Sequence, residues 1–97
     1  MSPLQDLALR QLDATLQPAA ALRGLTPPVT GWAAAIRRAL GVTTRQMAKR
    51  LGLSQSSYAD AEANEAKGTI SLNQLRRVAD ALDCELVYAL VPRRPLA

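Results

Sequence analysis

Residues 43–65 read TTRQMAKRLGLSQSSYADAEANE, and this stretch decides the fold. Thr43 or Thr44 supplies an N-cap oxygen for a helix in which Met47, Ala48 and Leu51 recur on one face and Arg45, Lys49 and Arg50 on the other. Gly52 ends that helix, since a glycine takes the left-handed closing conformation at low cost. After Leu53, Ser54 caps a second helix that opens on the uncharged polar residues Gln55, Ser56 and Ser57 and turns Tyr58 and Ala61 inward. Two short helices thus meet at a tight, glycine-containing turn, LGLS.

Working outward, GWAAAIRRAL (residues 31–40) predicts a preceding helix with Trp32, Ala35, Ile36 and Leu40 on its core face, closed by Gly41. Ser71 opens a following helix that runs to Leu82 on the apolar stripe Leu72, Leu75, Val78, Ala79 and Leu82. At the other end, Leu4, Leu7, Ala8, Leu9, Leu12 and Leu16 recur at helical spacing, so residues 3–17 predict an amphipathic helix opened by Ser2 and Pro3 and ending near Pro18. Gly24, Pro27 and Pro28 disfavour helix, and residues 18–30 read as a connecting arm with room for one helical turn over residues 19–22. CELVYALVP (residues 84–92) is short, apolar on both alternating faces, rich in β-branched and aromatic residues and stopped by Pro92, which predicts a strand. No other strand in the chain is available to pair with it. The backbone of Leu86, Val87, Tyr88, Ala89, Leu90 and Val91 therefore predicts a ladder with the same strand of a second copy in a homodimer.

The expected fold class is accordingly mainly α: a helix-turn-helix bundle with an added N-terminal helix and a C-terminal β-strand. Three parts are expected, namely 1–30 (N-terminal helix and arm), 31–83 (helical domain) and 84–92 (dimerisation strand). At 97 residues, 48% of them hydrophobic, the chain has enough apolar material for one core. A net charge of +4 implies a polyanionic partner, and the charge is local. Between Ala14 and Ala59 the only charged residues are Arg23, Arg37, Arg38, Arg45, Lys49 and Arg50, whereas Asp60, Glu62, Glu65, Asp80, Asp83 and Glu85 follow. A helix capped and turned as residues 43–65 predict enters the major groove of duplex DNA, which makes double-stranded DNA the expected anion.

With no histidine and one cysteine, Cys84, the chain holds no Ser/His/Asp triad, no Cys/His pair and no nitrogen-sulfur zinc set. Asp60, Glu62 and Glu65 lie close together but lack the glycine-rich loop of a calcium site. We expect no catalytic residue, no metal and no cofactor, and therefore no enzyme. Cys84, in an apolar run, reads as a core thiol. The start MSPLQDLALR lacks a continuous apolar h-region, and no stretch approaches the roughly 20 apolar residues of a membrane span. Asp6 and Asp13 argue against a membrane-surface helix at the N-terminus. The expected location is the cytoplasm.

Residues 32–82 resemble the Xre/Cro-type helix-turn-helix, with Gln46, Ala48, Leu51, Gly52, Ser54, Gln55, Tyr58 and Glu62 on the residue types usual for that motif. The segments LDATLQP (12–18), GWAAAIRRALGVTTRQMAKRLGLSQ (31–55) and EANEAKGTISLNQLRRVADALDCELVYALVP (62–92) together resemble the family called mobile mystery protein A. That resemblance implies a regulator encoded beside a Fic-domain protein, hence an autorepressor and antitoxin-like component of a toxin-antitoxin operon. The Ser/Thr-x-x-x-Glu-Gly/Asn pattern with which Fic antitoxin helices block the active site is absent. Carried over by position, Gln55, Ser56, Ala59 and Asp60 are expected to face base edges, with Thr44 near a phosphate. Gln55 suits adenine, and Asp60 departs from the longer polar or basic residue usual there. Arg45, Lys49 and Arg50, with Ser54 and Ser57, are expected at phosphates. The same layout pairs Arg37 with Glu62 in a structural salt bridge. The expected partners are a palindromic duplex operator, a second copy of the chain and a Fic-domain protein. The alternative is an antitoxin that binds its toxin directly, through the N-terminal helix or the 84–92 segment.

Overall fold

In the computed structural model, which describes residues 2–97, four helices start on a serine or threonine whose side-chain oxygen accepts an otherwise orphaned backbone amide. Ser2 caps α1 (Pro3–Leu16), Thr43 caps α3 (Thr44–Leu51), Ser54 caps α4 (Gln55–Lys67) and Ser71 caps α5 (Leu72–Ala81). Ser2 with Gln5 and Thr43 with Gln46 complete reciprocal capping boxes, so Thr43 rather than Thr44 is the cap of α3. α2 (Trp32–Ala39) has no side-chain cap of its own.

By internal contacts the chain divides into two units, one made of Pro27–Leu86 and the other of Met1–Thr26 with Val87–Ala97. In the first, α2 to α5 enclose a core of Ala33, Met47, Ala48, Tyr58, Val78 and Leu82, with Ile36, Val42, Leu51, Ala81 and Cys84 packed against it. The buried face of α2 is not the one its large residues predict. Ala33, Ala34 and Arg37 are buried, whereas Trp32 is 40% and Leu40 60% exposed. Small alanines allow the neighbouring helix backbones to approach, and Arg37 goes inside because a carboxylate meets it there.

Two further segments differ from expectation. The single helical turn expected over residues 19–22 of the arm extends into a 3-10 helix over Gln17–Gly24. Pro18 sits in its first turn, where its missing N–H is no loss, and Ala19, Ala20, Ala21 and Leu22 are good helix formers. The predicted strand at 84–92 is absent: Leu86, Val87, Tyr88, Ala89, Leu90 and Val91 have no regular secondary structure. A strand exists only through a ladder, and among the described residues no second strand offers one.

In the second unit the last residues lie back on the first helix. The Asp13 carboxylate accepts the amides of Leu96 and Ala97, both at 2.9 Å, and Arg23 donates to the Pro92 carbonyl. α1 buries none of its residues and leaves Leu4, Leu7 and Leu12 exposed.

Candidate nucleic-acid interface

The turn between α3 and α4 is closed by backbone. Gly52 stands at φ 67°, ψ 29°, the amide of Leu53 donates to Ala48 (2.9 Å), and Ser54 starts the next helix in extended geometry. This fixes the angle at which α4 leaves α3. The Ser54 hydroxyl accepts from the Ser57 amide at 3.1 Å and donates to the Ser57 hydroxyl at 2.8 Å, with the Ser56 hydroxyl 3.3 Å away. Ser54 and Ser57 are thus occupied in the cap.

Across the turn, Gln55 Nε2 donates to Thr44 Oγ1 at 3.0 Å. One of its two N–H bonds is spent in holding the side chain over the start of α3, and the other N–H and Oε1 stay free. That remaining pair is the donor-acceptor set matching N7 and N6 of adenine. Gln55, Ser56, Ala59, Asp60 and Ala63 line the exposed face of α4, opposite buried Tyr58 and Ala61.

The opposite face of α4 anchors it. Arg37 Nε and one terminal nitrogen donate to the two Glu62 oxygens at 2.6 and 3.1 Å, and its other terminal nitrogen reaches the Val42 carbonyl at 3.0 Å. The two side chains are 10% and 12% exposed, so this is a buried pair. Burial opposes ionisation of Glu62, but the hydrogen bonds and charge of Arg37 outweigh it and hold the carboxyl below its ordinary value. The Glu62 hydrogen bond, against the cost of burial, likewise raises Arg37. Burial first, then the Glu62 carboxylate, raises the Tyr58 hydroxyl above its ordinary range. That hydroxyl has no hydrogen-bond partner. A buried, unpaired hydroxyl contributes nothing favourable, so Tyr58→Phe is expected to leave stability unchanged or raise it by up to about 1 kcal/mol. A fall of several degrees in thermal denaturation would show that the hydroxyl is bonded.

Glu65, one turn further on, caps a different helix. Its carboxylate accepts the amides of Trp32 (2.7 Å) and Ala33 (2.9 Å), so α4 supplies the negative charge at the N-terminus of α2. Of the acids 60, 62 and 65, two are therefore tied to α2, and Asp60 alone stands on the outer face. No group of residues able to hold a metal ion occurs among those described.

The cations of α3 divide as well. Arg45 and Lys49 are exposed and carry no hydrogen bond or ion pair to another described residue, whereas Arg50 donates to the Ala81 carbonyl at 3.0 Å. Arg77 of α5 answers with a bond to the Leu51 carbonyl at 3.1 Å. Arg50 and Arg77 thus satisfy carbonyls at the ends of each other's helices. Neither contact, nor the Glu65 cap, is signalled by local sequence. The short fixed spacing of a cap or stripe does not exist for a bond between residues about thirty positions apart.

A family model described as helix-turn-helix matches residues 34–88, more than half of the chain. The chain belongs to the helix-turn-helix family. This helix-turn-helix protein carries the Xre/Cro-type motif on α3 and α4, and its ligand class is double-stranded DNA. No curated protein matches it, and no solved structure does. No helix among the described residues is long and apolar enough to cross a membrane.

Proposed function

We propose that this helix-turn-helix protein is a sequence-specific transcriptional regulator that places α4 in the major groove as a homodimer and represses its own operon. The observation that carries the reading is the exposed face of α4, small and polar at its start, held at a fixed angle by the Gly52 turn and by the bond from Gln55 to Thr44. Base contacts fall to Gln55, Ser56, Ala59 and Asp60. A single recognition helix reaches only a few bases, too few to mark one site in a genome, and two copies on a palindrome double the reading. Repression is steric, by occupancy of the promoter. The resemblance to the mobile mystery protein A family supports an operon shared with a Fic-domain protein and an antitoxin-like role.

Phosphate contacts fall to Arg45 and Lys49, with Thr44 at the start of α3, because Arg50 is engaged with Ala81. Affinity for duplex DNA should fall steeply with salt, by a slope of about 0.9 for each phosphate neutralised. Fluorescence anisotropy on the duplex upstream of the gene is expected to show the slope reduced by about 1 per protomer in Arg45→Ala and in Lys49→Ala, and unchanged in Arg50→Ala. A flat salt response in the parent protein, or equal weak binding to upstream and scrambled duplexes, overturns the regulator. Direct binding to a toxin would then be the reading to pursue, and the exposed Leu4, Leu7 and Leu12 of α1 are the observation that favours it.

A further inference from the structure

The operator reading leaves open what α4 recognises, and the chemistry of its outer face narrows this. From Gln55 to Ala66 the helix has no lysine or arginine, and its one cation, Lys67, is its last residue, two turns beyond Asp60. Guanine presents two acceptors, N7 and O6, in the major groove, and the usual reader is a cation with paired donors. Here the exposed donors are the Ser56 hydroxyl, 3.3 Å from Ser54 Oγ, and the Gln55 amide, which has already given one N–H to Thr44. Ala59 and Ala63, one turn apart, offer only methyl groups, which suit the thymine methyl and otherwise let the helix sit deep in the groove. Asp60 is different in kind. It is exposed, has no hydrogen bond or ion pair to any described residue, and as a carboxylate has acceptors alone.

We infer that Asp60 is a specificity-determining residue that selects cytosine, on a face otherwise suited to adenine and thymine. The inference rests on the DNA-binding reading above. Of the groups at major-groove base edges, guanine N7 and O6 and thymine O4 are acceptors and repel a carboxylate. Adenine pairs its N6 donor with the acceptor N7 beside it. Cytosine alone presents N4–H without a neighbouring acceptor of its own. Asp60 thus acts mainly by exclusion: the negative charge weakens every duplex through phosphate repulsion and returns affinity where a cytosine amino group meets it.

The test is selection from a randomised duplex library by the full chain and by Asp60→Asn and Asp60→Ala, followed by anisotropy on the selected duplex and on one with the cytosine-guanine pair replaced. The exposed Asp60 side chain makes no hydrogen bond or ion pair to any described residue, and circular dichroism should confirm that both variants keep the fold. The parent protein should prefer the cytosine site by about tenfold. Asp60→Asn should change the selected base at that one position to adenine, the partner of an asparagine amide, and Asp60→Ala should erase the preference there while tightening binding to scrambled duplex. An unchanged selected base in Asp60→Asn, or uniformly tighter binding by Asp60→Ala with no position losing its preference, overturns the cytosine assignment and leaves DNA recognition intact. Failure of the parent protein to enrich any duplex overturns the DNA-binding reading as well.

Discussion

Glu62→Ala should lower the melting temperature of the 27–86 unit by 15 °C or more, from a loss of about 3–5 kcal/mol. The substitution removes both oxygens that meet the Arg37 guanidinium and leaves a charge that is almost fully enclosed with only the Val42 carbonyl as partner. The pair itself is worth much less than this, because two ions had to be desolvated to make it. A double variant, Arg37→Met with Glu62→Leu, should therefore recover most of the loss. The same pair makes stability sensitive to acid. Glu62 is held below its ordinary value of 4.5, so its contribution is complete above that value and disappears as pH falls through the lowered one. Thermal denaturation of the parent protein should show this acid decline, and the apolar double variant should show less of it. An unchanged melting temperature in Glu62→Ala, or identical acid profiles in parent and double variant, would remove the pair from the account of stability.

Gly31→Ala should cost about 3–4 kcal/mol, more than Glu65→Ala, although it only adds a methyl group. Gly31 precedes α2 at φ 87°, ψ 162°, a conformation open to glycine and strained by about 1–3 kcal/mol for other residues. An added Cβ would lie 2.9 Å from the carboxyl carbon and from one oxygen of Glu65. The carboxylate must then shift away from the two amides it caps, and charge-assisted bonds to helix amides are lost together with the strain. Glu65→Ala loses the cap but has no clash, and should cost about 1–2 kcal/mol. In the combined variant there is no carboxylate left to clash with, so the two losses should sum to more than the double variant shows. Denaturant unfolding of the three proteins decides it. Greater damage from Glu65→Ala than from Gly31→Ala would mean that the backbone there is not constrained.

What could be read before folding was what is local. Thr43, Ser54 and Ser71 mark helix starts, and Gly52 marks a stop, because each acts on amides or torsions within a few residues of itself. The inward face of α3, and that of α5 from Leu75 to Leu82, follow from apolar periodicity for the same reason, whereas Leu72, the expected start of the α5 stripe, is 45% exposed because it stands in the first turn beyond the edge of the core. On α2 periodicity points to the wrong residues because it weighs residue size. Trp32 and Leu40 look like core, yet the alanines pack and Arg37 is drawn in by a carboxylate 25 positions away. The Glu65 cap and the crossed bonds of Arg50 and Arg77 depend on which helix ends meet in space. The segment 84–92 has the composition of a strand, but a strand is a property of two segments, and the chain contains only one. On α4 the exposed residues Gln55, Ser56, Ala59 and Asp60 were legible from the sequence. The engagement of Gln55 with Thr44, and of Ser54 with Ser57, emerged only from geometry.

The bonds from Asp13 to the amides of Leu96 and Ala97 also bear on the order in which the chain folds as it is made. The 27–86 unit is continuous in sequence, so it can close as soon as its last helix has emerged from the ribosome. Residues 3–24 are synthesised before this unit but must wait for residues 92–97, the partners that clasp them. During that interval α1 is a short helix without its tail, and too short to be stable alone. A nascent chain truncated after residue 86 should therefore already resist protease within the helical unit and be cut within the first 24 residues.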